Sequence, residues 1–124
     1  MQGDIQQEQW EAYLDSFSKR NSGRMADLQI LSDELGTQEE AKMLPFEDIT
    51  VETKGSLASS VEIMLGGTGP ADKRNLTHTV TQVRRIVPKT GVDGREDALE
   101  IEARDGAKTI LIFKTVPQLQ ETGA

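Results

Sequence analysis

Asp97-Ala98-Leu99-Glu100-Ile101-Glu102-Ala103, then Arg104-Asp105-Gly106-Ala107, then Lys108-Thr109-Ile110-Leu111-Ile112-Phe113 reads as one hairpin, and the fold follows from it. Leu99, Ile101 and Ala103 alternate with Ala98, Glu100 and Glu102, the period of a strand with one wet face. Asp105-Gly106 suits a two-residue primed turn, whose central positions both need positive φ. The return strand is apolar on both sides: Thr109, Leu111 and Phe113 point one way, Ile110 and Ile112 the other. Such a strand is central in a sheet, or covered by another element or chain.

Working back towards the N-terminus, Asp4 can cap a helix with Gln7 as its capping-box partner. Trp10, Tyr13, Leu14 and Phe17 recur at helical spacing, and Gly23 ends the run. A helix from about residue 5 to about residue 21 is expected, its aromatic stripe facing the core. Strands follow. Met25 to Leu31 is the first, and Gln38 to Met43 a weaker second. Pro45 is expected to interrupt before Phe46 to Thr53, because proline cannot donate to a ladder. Ser60 to Leu65 puts Val61, Ile63 and Leu65 inward. Leu76 to Val80 places His78 beside Leu76 and Val80. Val83 to Val87 is expected to continue it after a bulge at Thr81-Gln82, where the apolar phase slips, and Pro88 to end it. Residues 66–75 and 90–96 read as exposed loops, and 115–124 as a fraying tail.

The 124 residues amount to one domain, 1–124, with a single core. There is no cysteine, which removes disulfides, thiolate metal sites and thiol catalysis and fits a reducing cytoplasm. The apolar runs are too short to span a membrane, and residues 1–8 lack the basic and apolar regions of a secretory signal. The net charge of -7 argues against nucleic acid or anionic membrane across the whole surface. It is unevenly spread: residues 1–65 carry 13 acidic and 5 basic side chains, residues 66–124 carry 8 and 9. Within that second part Arg74, Arg84, Arg85, Lys89 and Arg95 form a candidate basic patch.

Catalytic signals are sparse. Gly66-Gly67-Thr68-Gly69 lacks the phosphate-loop spacing and no helix pattern follows it. His78 is the lone histidine, with no thiolate partner and no G-x-S-x-G elbow elsewhere, so neither a usual zinc site nor a serine triad assembles. It is kept as a candidate pH-sensitive or acid–base residue. Residues 93–97 lack calcium-loop spacing. No catalytic residue, metal ligand or cofactor site is assigned.

Several short stretches carry a resemblance: Trp10 with Phe17-Ser18, Asn21-Ser22-Gly23-Arg24, Leu44-Pro45-Phe46-Glu47-Asp48-Ile49, Leu76-Thr77-His78, Leu99-Glu100-Ile101, and Asp105-Gly106 with Thr109-Ile110-Leu111. Together they resemble a family of small uncharacterised bacterial domains, over about residues 10 to 114. That resemblance implies a soluble bacterial domain and lends no catalytic residue. The order of elements is also similar to small SH3-like and Sm-like barrels, by architecture alone.

The expected fold is α+β, mainly β: an N-terminal amphipathic helix packed on a bent antiparallel meander of about seven strands, with closure into a small barrel as an option. The expected function is a non-enzymatic interaction or assembly module, self-associating or binding another protein, with Ile110 and Ile112 as the candidate strip. A nucleic-acid-binding barrel using the basic patch is the alternative, and a hydrolase using His78 the third.

Overall fold

The computed structural model describes residues 5–53, 59–66, 75–92 and 94–114. A 3-10 turn, Gln7–Gln9, leads into helix α1, Trp10–Asn21. Seven strands follow: β1 (Met25–Ser32), β2 (Gly36–Glu52), β3 (Ser60–Leu65), β4 (Leu76–Val80), β5 (Val83–Thr90), β6 (Glu96–Ala103) and β7 (Lys108–Phe113). All the pairings are antiparallel, in the order β4-β3-β2-β1-β7-β6-β5. The expected helix on a seven-stranded antiparallel meander is therefore present. It is not closed into a barrel.

The helix begins later than its sequence pattern suggests. Ile5 is not helical; its N–H donates to the Ile86 carbonyl at 2.9 Å, lying along the outer edge of β5. The Trp10 indole N–H donates back to the Ile5 carbonyl at 3.0 Å, so one aromatic ties this leading segment to the helix. Asp4, the expected cap, lies outside the described residues, as do Arg74, the glycine run 67–69 and the tail 115–124.

Neither proline ends a strand. β2 runs through Pro45 because the strand changes partner there: residues up to Pro45 pair with β1, and Phe46 to Glu52 pair with β3. The Pro45 carbonyl still accepts from Gly66 N–H at 3.0 Å, so only a donor is missing, at the last rung of the β2–β3 ladder. β5 runs through Pro88 because it is the edge strand. The Ile86 carbonyl points outward to Ile5, and Pro88, two residues on, faces the same way, where β6 needs no donor.

Two turn expectations also change. The β6–β7 loop is not a primed two-residue turn. Gly106 N–H donates to the Ala103 carbonyl at 3.0 Å and Ala103 N–H to the Ala107 carbonyl at 2.9 Å, and of the turn residues only Gly106 has positive φ, +93°. This is a turn centred on Arg104-Asp105 followed by a left-handed glycine, the three-residue hairpin with a bulge. Thr81-Gln82 is a corner rather than a bulge. β4 and β5 are opposite edges of the sheet, yet these two residues join them. The sheet must therefore curl until its edges nearly meet. A backbone bond from Val83 N–H to the Ser59 carbonyl, 2.8 Å, spans the gap, but no β4–β5 ladder closes it.

Inside the curl lies the core. Phe17 of α1, Phe46 of β2 and Phe113 of β7 form a triangle with ring centroids 5.6–5.7 Å apart, two pairs edge-to-face and one tilted. Leu14, Leu28, Ile63, Ile86, Leu99 and Leu111 complete it, all essentially without exposed surface. Trp10 sits against this cluster at 2 % exposure. Trp10→Ala is expected to cost about 3–5 kcal/mol, the range for deleting a buried aromatic. Trp10→Phe keeps most of the packing and loses the indole bond, about 1 kcal/mol. Denaturant melts of the two variants check the order.

Candidate functional site

Three places could carry function: a buried carboxylate behind the helix, the half-buried histidine on β4, and the outer face of the sheet.

The carboxylate is Glu96, first residue of β6, which the sequence pattern places in an exposed loop. It is buried, and four side chains converge on it. Tyr13 OH donates to Oε2 at 3.1 Å, Arg20 Nη2 donates to the same oxygen, and Asn21 Nδ2 donates to Oε1 at 3.3 Å. Arg24 Nη1 donates to the Glu96 carbonyl and to Asn21 Oδ1, both at 2.8 Å. Tyr13 comes from the first turn of α1, Arg20 and Asn21 from its last turn, and Arg24 from the link to β1. The Arg24 guanidinium also lies over the Phe113 ring, 4.4 Å from its centroid, so the charged cluster rests directly on the aromatic triangle.

Burial pushes the Glu96 carboxyl up, but the bonds from Arg20 first, then Asn21, its own backbone and Tyr13, outweigh it and hold it below the usual carboxylate value. Burial, reinforced by the Glu96 charge, pushes the Tyr13 phenol well up, so it remains a donor. The arrangement is a satisfied knot that fixes the helix end to β6. The visible sequence signal was Asn21-Ser22-Gly23-Arg24 just after the helix. Nothing in the sequence marked Glu96, because the irregular β5–β6 register between Lys89 and Thr90 shifts its phase relative to Leu99.

His78 shares the inner face with Ile63, its cross-strand partner, and with Leu76 and Val80. Burial pushes its imidazole below the ordinary value, against the opposing charge of Glu40.

The outer face of β5-β6-β7-β1 is a regular grid. Lys89, Ala98, Ile112 and Asp27 lie side by side in one row. Val87, Glu100, Ile110 and Gln29 form the next. Arg85, Glu102, Lys108 and Leu31 form the third. Val87, Ala98, Ile110 and Ile112 keep part of their surface exposed at its centre. Around them the charges are paired. Arg84 Nη2 reaches Glu102 Oε2 at 2.7 Å, and Arg85 Nη1 lies 3.6 Å from Oε1. Lys89 and Lys108 lie 4.0 and 3.8 Å from Glu100. The Arg84 bond, against burial and with the charges of Arg84, Arg85 and Lys108, lowers the Glu102 carboxyl.

The candidate basic patch is thus divided. Arg84, Arg85 and Lys89 lie on this face against Glu102 and Glu100, while Arg95 is exposed in the turn before β6. Asp27, at the far side of the grid, accepts from Met43 N–H at 2.9 Å, holding a β2 bulge whose Met43 has φ +55°, and pairs with Lys114 at 3.6 Å. Among the described residues no cluster of three or more histidine, aspartate or glutamate side chains is placed to hold a metal. No described helix is long and apolar enough to cross a membrane.

A family model covers residues 1–122 of the chain. The chain belongs to DUF5335, a family of unknown function. No curated protein and no solved structure matches it. The resemblance read from its short motifs therefore holds at the level of the family, and membership of DUF5335 assigns no residue a role.

The Glu96 knot has a pH signature. Its folded-state pKa is depressed, so its contribution is complete above the unfolded carboxylate value of about 4.3 and is lost as pH falls through the lower folded value. Glu96→Gln is expected to cost about 1–3 kcal/mol at pH 7. That is less than a fully buried pair, because Arg20 keeps 43 % of its side chain exposed and screened. The gap between wild type and variant should narrow below about pH 4, as the wild-type carboxyl protonates. Denaturant titrations at pH 7, 5 and 3.5 measure it.

Proposed function

We propose that this DUF5335 chain is a non-enzymatic interaction module that docks protein on the outer face of β5-β6-β7-β1. One observation carries the reading: Val87, Ala98, Ile110 and Ile112 form a partly exposed apolar patch around Glu100, and Glu100 and the charges beyond it are already paired with one another. An apolar core with a polar rim is the anatomy of a protein interface. Pairing within the rim also lowers the cost of desolvating it, since each charge brings a partner along. A reducing bacterial cytoplasm is the proposed setting, where a chain without cysteine forgoes no disulfide.

The basic residues of this face favour protein over nucleic acid. Arg84 and Arg85 face Glu102, and Lys89 faces Glu100, so a phosphate backbone would have to displace carboxylates. RNA or DNA that bound at low salt and dissociated at moderate salt would reverse this preference.

A photo-reactive phenylalanine analogue at Ile112, expressed in the host cell, tests the docking face. Covalent adducts to protein, either a second copy or another chain, are expected from Ile112. They should be absent from the same probe at Leu35, an exposed turn residue away from the grid. Equal yields at both positions, or none at Ile112, would remove the reading.

A further inference from the structure

Resting on that docking face, we infer that its occupant is a second copy of this chain, related by a two-fold axis that runs parallel to the strands between β6 and β7. The grid itself selects this geometry. Two sheets packing face to face keep their strands roughly aligned, which leaves two ways to place a two-fold axis in the plane of contact.

With the axis across the strands and through the middle row, the position that keeps all three rows in contact, each strand meets its own copy with the rows reversed. Lys89 then faces the partner's Arg85, and Glu100 faces the partner's Glu100. Both juxtapositions are like-charged, and interfaces suppress such contacts. With the axis along the strands, each row meets itself with the columns reversed. Ala98 then faces the partner's Ile112, Lys89 faces the partner's Asp27, and Glu102 faces the partner's Lys108. Glu100, held by its own Lys89 and Lys108, faces the partner's Ile110, and no two like-charged grid residues face each other; Lys114 comes to the corner where Asp27, its ion-pair partner, meets the partner's Lys89. Every contact occurs twice, as a closed two-fold interface requires.

An independent observation falls on the same row. Glu102 Oε1 is buried and accepts no hydrogen bond among the described residues, although Arg85 Nη1 lies 3.6 Å away. In the selected pairing the partner's Lys108 brings an ammonium towards that oxygen, supplying the donor the single chain leaves out.

The size of the face sets the strength. Four strands at about 4.8 Å spacing and about eight residues long cover about 500 Å² per copy. That is below the about 800 Å² each partner gives a standard interface. The curled sheet is convex outward, which concentrates contact on β6 and β7. The dimer is therefore weak and forms at high protein concentration.

The absence of native cysteine makes disulfide trapping clean. Ala98→Cys protein is mixed with Ile112→Cys protein under a mild oxidant, after melts show both fold like wild type. The mixture should give covalent heterodimer at least about tenfold faster than either is trapped by a Leu35→Cys collision control, a ratio equivalent to about one decade of effective concentration. Ile112→Cys mixed with Lys108→Cys, the pair brought together by the crossed axis, should stay near the control rate. Trapping of that second pair in preference to the first, or of neither above the control, overturns the inference. Sedimentation equilibrium of wild type gives the same answer without substitutions: a chain that remains monomeric at millimolar concentration has no such dimer. If the Ile112 photo-probe labels only other proteins, the self-pairing fails while the docking face stands; if it labels nothing, the docking face itself fails.

Discussion

The structure depends on one strand serving two partners. β2 is 17 residues long, and it pairs with β1 before Phe46 and with β3 from Phe46 onward. Where β2 leaves β1, its edge would be bare. Two devices cover it. Phe46 exchanges backbone bonds with Gly23 and Arg24, at 2.7 and 2.8 Å, and Ser18 of the helix bonds both the N–H and the carbonyl of Ile49 at 3.1 Å. The helix thus acts as the missing strand over the second half of β2. That lodges Phe17 between Phe46 and Phe113 and brings the ends of the curled sheet together.

The buried charges follow from that placement. Once the helix C-terminus is fixed at β2, Tyr13, Arg20 and Asn21 fall opposite the start of β6, and Glu96 is the group that satisfies them. A carboxylate withdrawn from water is tolerable when its oxygens are occupied by donors. The knot also accounts for a basic residue, Arg24, lying against the aromatic core: its charge is answered by Asn21 and the Glu96 carbonyl while its plane packs on Phe113. In this scaffold the polar chemistry behind the helix fixes elements to one another, and the surface proposed for recognition is the far side of the sheet.

That far side combines an aliphatic patch with charged side chains. Its aliphatic residues surround Glu100, and its charges are internally neutralised. The proposed reading locates that recognition on strands, which hold side chains in a fixed register more exactingly than loops do.

Local patterning was enough for much of this. The amphipathic spacing of Trp10, Leu14 and Phe17, the alternation of Val61, Ile63 and Leu65, and the two-faced strand ending at Phe113 each report on a period that the backbone imposes, so the elements and their inner faces were legible in the residues. The two apolar faces of β7 likewise announced a central strand. What the sequence could not determine was anything set by the pairing of distant strands. Pro45 and Pro88 looked like breaks because a missing donor matters only relative to a neighbour, and the neighbours are decided by topology. Thr81-Gln82 looked like a bulge because only the sheet order reveals that the strands on either side lie at opposite edges. Glu96 looked like a loop residue because its burial depends on a helix end some seventy residues away in the chain and on a register irregularity. Periodicity is a property of neighbours in sequence; partner choice, register and the satisfaction of buried charge are properties of neighbours in space, and only the tertiary structure fixes those.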